Sequence, residues 1–444
     1  MDIRKALLLL KYGLYQPEAL RAYRQFQRNQ HLAPEELGEL NWRKRQRLVR
    51  YALEKVPFYR KRYGDAGISA ADIARPEDFH RLPLLTKADL RENFDELVSP
   101  DARPRHLRLS TTGGSTGVPV KVYHDERFPE VAIGWRALEW WGLSPGVNAA
   151  FAWRRMRKGW AKQAINDAIW WPTRRIFLDA ASMNEQAVDE LLEAFNRLKP
   201  PLLQGYVGAI EHLALCVRER GMKVHSPQAV WVTSAPVSAA QRRLISEAFG
   251  APVYDQYGCC EVSWLAAECG AHHGLHINYD CRHVEFLDDE GRPCLPGTLG
   301  NVVITDLENF AFPLIRYVPG DLGRALNERC PCGITLPLMD AVKGRITDII
   351  KLPNGTRIAG DFLTTIFDGF PDAVDGFQVR QHKDYSITIY VVPAKGDPGV
   401  QGTLKSVRDE LARNVGGQVP VTMEEVARID SDRGKTRFVI SDVQ

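Results

Sequence analysis

The chain has 444 residues, 44% of them hydrophobic and 25% charged, with 35 Gly, 27 Pro and 8 Cys. Those proportions describe a globular protein of two or three domains and exclude disordered, collagen-like and disulfide-scaffold classes. Lys and Arg (58) exceed Asp and Glu (55) by only three, which argues against a nucleic-acid partner held by a basic surface.

The apolar stretch Ala6 to Leu10 ends at Lys11 with no small-residue cleavage site after it, and no stretch reaches the roughly 20 apolar residues of a membrane span. The eight Cys (216, 259, 260, 269, 281, 294, 330 and 332) are clustered in a chain large enough to fold without staples. The expected compartment is the reducing cytoplasm, where clustered Cys are metal ligands or buried apolar residues.

Residues 1 to 100 read as mostly helical, with helix-type spacing in Leu48, Val49, Ala52, Leu53 and Val56. Between Trp42 and Arg62 nine Lys and Arg stand against Glu54 alone, a run that reads as a solvated helix face ahead of a binding patch. From Leu107 the pattern changes to strands, Gly-rich turns and helices. Val147 to Trp153, Ala229 to Thr233, Val253 to Gln256 and Val302 to Thr305 read as strands and Glu185 to Leu198 as a helix, which together predict an α/β domain with mixed sheets flanked by helices.

Seven of the ten Trp fall between Trp135 and Trp171, interleaved with Arg154, Arg155, Arg157, Lys158, Arg174 and Arg175. The plain reading is a core helix at Trp135 to Trp141 plus an ordered insertion. The sharper one is a docking surface for an amphiphilic partner such as membrane headgroups, glycans or anionic rings. From Arg345 the chain reads as a small α+β unit hinged on Val342 to Asp348. Its expected elements are a hairpin from Ile346 to Ile358 turning at Asn354-Gly355, a helix near Asp361 to Phe367, strands at Gly376 to Gln381 and Ser386 to Val392, a helix near Gly402 to Asn414, and a strand from Val419. The expected division is therefore 1–100, 101–344 and 345–444.

The most informative stretch is Ser110-Thr-Thr-Gly-Gly-Ser-Thr-Gly-Val-Pro-Val-Lys121. Hydroxyl and Gly residues in a row offer backbone and side-chain donors without Cβ obstruction, which suits a polyphosphate. It is not a Walker A loop, because Lys121 trails the last Gly by four and follows Pro119. Read with Tyr257-Gly258-Cys259-Cys260-Glu261, Tyr317 to Arg324 (YVPGDLGR), Gly344-Arg345-Ile346-Thr347-Asp348 and Arg433-Gly434-Lys435, it resembles the phosphate loop of the adenylate-forming acyl- and aryl-CoA ligase superfamily. Val56-Pro-Phe-Tyr-Arg60 and Leu82 to Leu90 (LPLLTKADL) narrow the resemblance to phenylacetate-CoA ligases, coenzyme F390 synthetases and CapK-type proteins, over residues 45 to 440.

The resemblance implies a large N-terminal α/β domain with a small mobile C-terminal one, and ATP with Mg²⁺ as cofactors. It implies phosphate contacts from Thr112, Gly113, Gly114, Ser115, Thr116, Gly117 and Lys121, and nucleotide contacts from Ala235, Pro236, Asp255, Tyr257 and Gly258. Glu261 would hold Mg²⁺, Asp321 the ribose hydroxyls, Arg345 the ribose or phosphate, and Lys435 would be the catalytic lysine. Ser234-Ala235-Pro236 and Tyr206 border the expected acyl pocket. Two residues depart from the pattern: Cys260 replaces a Thr that meets the AMP phosphate, and Thr347 stands where many relatives carry Asp at the hinge.

Cys330-Pro-Cys332-Gly lies about sixty residues after Cys269, itself followed by His272, His273 and His276. Three Cys and a His are the tetrahedral set that structural Zn²⁺ favours, and similar segments recur in the branch. His276 is the first choice and His273 the second, against the plainer reading of buried free thiols. Cys281, Cys294 and Cys216 are expected in the core.

Function follows in three versions. The first is ATP-dependent activation of a carboxylate, an aryl acid by resemblance, with transfer to coenzyme A, a carrier protein or a glycan. The second is AMP transfer to a non-carboxylate. The third is a non-catalytic scaffold of the same fold in polysaccharide assembly, with peripheral membrane contact compatible with it.

Overall fold

The computed structural model describes residues 3–111, 120–153, 168–180, 183–342, 349–354, 357–359, 374–393, 400–415, 417–429 and 439–443. They divide into two compact units, Met1–Pro145 with Gln256–Ala341 and Gly146–Asp255 with Val342–Gln444.

The first unit begins with helices α1 (Ile3–Tyr15), α2 (Pro17–Asn29), α3 (Pro34–Lys55) and α4 (Pro57–Asp65). Pro opens the last three, at a position whose N–H has no intrahelical partner anyway. α3 buries Leu37, Asn41, Arg45, Leu48, Val49 and Ala52, the face that the apolar spacing predicts. Arg43, Arg47 and Arg50 are exposed, as a solvated face requires, whereas Arg45 is buried with its guanidinium 4.8 Å from both the Trp42 and the Phe79 ring centroids. α5 (Lys87–Glu92) starts at a capping box in which Thr86 Oγ1 accepts from the Asp89 N–H and the Asp89 carboxylate from the Thr86 N–H.

Strands β1 (Leu107–Thr111) and β2 (Lys121–Asp125) pair antiparallel with Thr111 opposite Lys121, so one hairpin brings both ends of the Gly-rich segment together. Residues 112–119 of that segment lie outside the described residues. α6 (Val131–Trp140) buries Trp135, and Trp141 is buried just beyond it, so this stretch is core as the plain reading expects. Arg154, Arg155, Arg157, Lys158 and Trp160 lie outside the described residues.

In the second unit β3 (Ala149–Trp153), β4 (Arg175–Asp179), β5 (Leu202–Tyr206) and β6 (Ala229–Thr233) run parallel in the order β4–β3–β5–β6. Their apolar runs meet α7 (Glu185–Leu198), α8 (Val207–Glu219) and α9 (Ala239–Phe249) in a core that includes Leu192, Phe195, Ile210, Leu213, Val230 and Phe249. β7 (Val253–Tyr257) starts in this unit and ends in the first.

Back in the first unit, the end of β7 pairs antiparallel with β8 (Ala266–Glu268), β8 with β9 (Leu275–Ile277), β9 with β14 (Leu338–Met339) and β14 with β13 (Ala325–Leu326). A second antiparallel sheet holds β10 (Arg282–Leu287), β11 (Gly300–Asp306) and β12 (Leu322–Gly323).

After residue 342 the second unit adds the hairpin β15 (Ile349–Lys351) with β16 (Arg357–Ala359), and a four-stranded sheet of β17 (Val374–Gln381), β18 (Ile387–Pro393), β19 (Val421–Glu425) and β20 (Val439–Ser441) beside α10 (Val400–Asn414). Phe377, Val379, Ile389, Leu404, Val407 and Leu411 give this α+β part its own core. The helix expected near Asp361 to Phe367 lies outside the described residues. Among the described residues no helix is long and apolar enough to cross a membrane.

Candidate active site

β7 ends at Tyr257, and the chain turns at once. The Cys259 N–H donates to the Val262 carbonyl (3.0 Å) and the Val262 N–H to Cys259 Sγ (3.4 Å). Gly258 enters this turn at a position where a Cβ would lie 2.9 Å from the Gln256 side chain and 3.0 Å from the Trp264 backbone nitrogen, so only Gly fits without a shift. Glu261 follows on the turn and is 4% exposed.

The partner segment is Tyr317 to Asp321. The Tyr317 backbone exchanges hydrogen bonds with Ile304 in β11 (2.7 and 2.8 Å), and the Val302 N–H donates to the Asp321 carbonyl (2.9 Å). On the other side Leu85 donates to the Arg316 carbonyl and accepts from Val318, both at 2.9 Å. Tyr59 holds the approach, its hydroxyl donating to the Pro313 carbonyl (2.8 Å) and accepting from the Ile315 N–H (3.1 Å). The upstream motifs around Tyr59 and Leu85 therefore brace the segment that carries Asp321.

Two phenol–carboxylate pairs join the motifs. Tyr317 donates to Glu261 Oε1 (2.6 Å) and Tyr257 to Asp321 Oδ2 (2.8 Å). Burial, then the neighbouring carboxylates, push both phenols well above their ordinary pKa, so they stay protonated donors. The Cys259 thiol is raised by burial and by the Glu261 and Asp321 charges, and stays neutral too. Among the described residues no cation pairs with Glu261. A buried carboxylate held by one neutral hydroxyl is incomplete as an ion site, and its hard oxygens fit a divalent cation such as Mg²⁺.

Cys260, the departure from the pattern, is exposed, and its carbonyl accepts from His124 Nε2 at 2.9 Å. In the second unit β6 ends at Thr233, and the next residue, Ser234, has φ 81° with a buried hydroxyl that has no hydrogen-bond partner among the described residues. A non-Gly residue held there, just ahead of Ala235 and Pro236, marks a constrained position. Asp255 is buried in β7 and Lys121 is exposed at the start of β2. Thr112 to Gly117, Arg345, Thr347 and Lys435 lie outside the described residues.

A second cluster sits elsewhere in the first unit. Cys269 follows β8, His276 is in β9, and Cys330 and Cys332 precede β14, whose Leu338 pairs with His276. One Sγ from each Cys and a ring nitrogen of His276 all lie within 4.8 Å of one another. Cys269 and Cys330 Sγ are 3.5 Å apart, and Cys332 Sγ is 3.3 Å from His276 Nε2. The opposite ring nitrogen, Nδ1, donates to the Leu336 carbonyl (3.2 Å), which aims Nε2 at the thiols. Burial lowers the His276 pKa to about 4, keeping the imidazole neutral and able to ligate, and raises the Cys269 thiol. Gly333, at φ 82°, turns the chain after Cys332. The donor set and its compactness fit tetrahedral Zn²⁺.

Of the two candidate histidines, His276 joins the thiols, whereas His273 is half-buried with Nε2 2.9 Å from the Glu328 carboxylate. Cys281 is fully buried as expected, but Cys216 and Cys294 are only partly buried, Cys216 in α8 and Cys294 in the connection between β10 and β11. Sequence reasoning passed over the Tyr317 side chain as a site residue, although its place at the head of the Tyr-x-x-Gly-Asp segment was the available signal. It also passed over Arg136, fully buried with bonds to both Asp280 oxygens (2.9 and 3.0 Å) and to Asn278 (2.5 Å), which ties α6 to the loop after β9.

A family model of the CapK C-terminal domain matches residues 350–442. The chain is 28% identical over 381 residues to a phenylacetate-coenzyme A ligase of Thermus thermophilus, covering 82% of this chain and 80% of the relative. It is 26% identical over 332 residues to the Escherichia coli phenylacetate-coenzyme A ligase, covering 71% and 72%. Among solved structures, 2-hydroxyisobutyryl-CoA ligase in the postadenylation state superposes with a TM-score of 0.77 at 22% identity, over 94% of this chain and 91% of that one. The chain thus has the fold of the adenylate-forming CoA ligases, carries the CapK C-terminal domain, and counts phenylacetate-coenzyme A ligases among its relatives in sequence.

Proposed function

We propose that the protein activates a small carboxylic acid with ATP as the acyl-adenylate, releasing pyrophosphate, and then passes the acyl group to coenzyme A. The relatives are phenylacetate-coenzyme A ligases, which supports an aryl acid as substrate. A carboxylate oxygen attacks the α-phosphorus, the bond to the pyrophosphate oxygen breaks, and the thiol later displaces AMP from the acyl carbon. Two anions must approach one another in the first step, so the surrounding cations and donors decide the rate. The observation that carries the reading is Glu261: a buried carboxylate, fixed by Tyr317 and paired with no described cation, at the motif position where the metal is expected.

In this reading Glu261 holds Mg²⁺, which when bound would neutralise charge on the phosphates. Asp321, oriented by Tyr257, takes the ribose hydroxyls, and Tyr317 fixes which Glu261 oxygen remains for the metal. Thr112 to Gly117 and Lys121 take the phosphates, Ala235, Pro236, Asp255 and Gly258 border the nucleotide, and Arg345 and Lys435 come from the hinge and the C-terminal part. Cys269, His276, Cys330 and Cys332 hold a structural Zn²⁺, which would tie the loop before Gly333 to the strands after Glu261.

Lys435 offers the test. A compact ammonium on a flexible stem suits contact with both the carboxylate and the α-phosphate oxygens, but the thioester step does not need it there. Lys435→Ala should abolish adenylate formation and largely spare acyl transfer from a supplied acyl-adenylate to coenzyme A. Equal loss of both half-reactions would refute its assigned role.

A further inference from the structure

Helix α1 is apolar on two faces, and only one of them is covered. Leu8 is buried, and Leu9 and Tyr12 pack beside it, the Tyr12 ring edge-on to Trp135 at 4.7 Å. On the opposite side Ile3, Leu10 and Leu14 recur at helical spacing with Leu7 between them, and they are 74%, 63% and 83% exposed; Tyr15 is 82% exposed. Four of the nine exposed large hydrophobic residues among the described ones thus lie on this helix, which makes them a patch and not scattered surface residues.

The charges around the patch have one sign. Residues 3–29 hold Arg4, Lys5, Lys11, Arg21, Arg24 and Arg28 against the single acid Glu18. Glu18 is bound by Arg21 (2.7 Å), and Lys5 turns inward to Glu139 (2.6 Å). By helical spacing Arg4 and Lys11 flank one edge of the apolar stripe, and α2 adds exposed Arg24 and Arg28. A second copy of the chain docked on this face would bring cations against cations. A helix of 13 residues is about 20 Å long, too short to cross a bilayer but suited to lie in its interface.

We propose that the outer face of α1 docks on a membrane surface containing anionic lipids. Ile3, Leu7, Leu10 and Leu14 enter the boundary between headgroups and acyl chains, and the flanking cations meet the lipid phosphates. The inference does not depend on the reaction proposed above.

Flotation of the full-length protein with phosphatidylcholine vesicles, and with vesicles that also contain phosphatidylglycerol, tests it. Binding is expected only to the anionic vesicles, to weaken as salt rises, and to drop about tenfold or more in Leu10→Ser/Leu14→Ser while circular dichroism and melting stay unchanged. Arg24→Gln/Arg28→Gln should lower binding less and flatten its salt dependence. No binding to anionic vesicles, equal binding to neutral ones, or full binding by the Leu10→Ser/Leu14→Ser variant would overturn the proposal. So would a dimer by light scattering that this variant dissociates, because the face would then be covered by a second copy.

Discussion

Glu261 with Asp321, and the Cys269–His276–Cys330–Cys332 group, are both sets of electron-pair donors within the first unit, buried except for Cys332, but they are finished differently. Each carboxylate is oriented by a neutral phenol, and Glu261 has no cation beside it among the described residues. The thiols and the imidazole converge on one another, with ligand atoms all within 4.8 Å, and leave room for one small ion. Hard oxygens with spare valence suit a cation that comes and goes with a substrate, and a closed soft set suits one that stays. A chemical site and a structural site can therefore be told apart by how completely the protein satisfies its own donors.

If that distinction holds, the two clusters fail in different ways. Glu261→Gln removes the charge but keeps the shape, so Mg·ATP-dependent adenylate formation in a single turnover should fall about a hundredfold or more, roughly 3 kcal/mol, with melting unchanged. Cys330→Ser should do the opposite, lowering metal content and melting temperature together. A Cys330→Ser protein that melts like the wild type would erase the distinction.

Metal removal sharpens the contrast through pH. In metal-free protein the folded-state pKa of His276 is about 4, against about 6.5 unfolded. His283 is likewise lowered by burial and nearby arginines. Between these values the unfolded chain binds protons that the folded one does not, so stability is intact above about pH 6.5 and is lost as pH falls toward 4. His276 alone would contribute up to about 3 kcal/mol of that loss. Zinc-loaded protein should fall more steeply still over this window, because unfolding it must protonate the ligand thiolates as well as His276, whereas in chelator-treated protein the thiols already carry their protons; calorimetry of the two forms measures the difference. Parallel curves would argue that the thiols hold no metal.

The smaller effects concern the phenols. Tyr317→Phe removes a hydrogen bond to a buried carboxylate and should weaken Mg·ATP use by about 2 kcal/mol, seen in KM more than in the fold. Tyr257→Phe, acting on Asp321, should cost less, about 1 kcal/mol. Similar losses of stability without a kinetic effect would make both phenols plain core residues.

Much of this was legible in the chain. Strands such as Ala229–Thr233 and the helix Glu185–Leu198 fall where their periodicity places them, because continuous apolar runs and one-sided helices leave few alternatives. The thiol group was readable from Cys-x-Cys spacing, with His276 ahead of His273, but what brings His276 to the thiols was not: it depends on β9 pairing with β14, a contact between segments about sixty residues apart. The same holds for Tyr317 and Glu261, 56 residues apart, which meet only through two different strands. The outer face of α1 was hidden for another reason, since its apolar run reads equally well as core until burial shows that one side is uncovered.

The most direct test is carboxylate-dependent exchange of labelled pyrophosphate into ATP, run on wild-type protein and Glu261→Gln across a panel of aryl and short aliphatic acids, with zinc content measured on the same samples. The account predicts exchange that requires an acid, is strongest with an aryl acid, and is lost in Glu261→Gln while zinc stays near one equivalent. Exchange without any acid, or undiminished exchange in the variant, would contradict it.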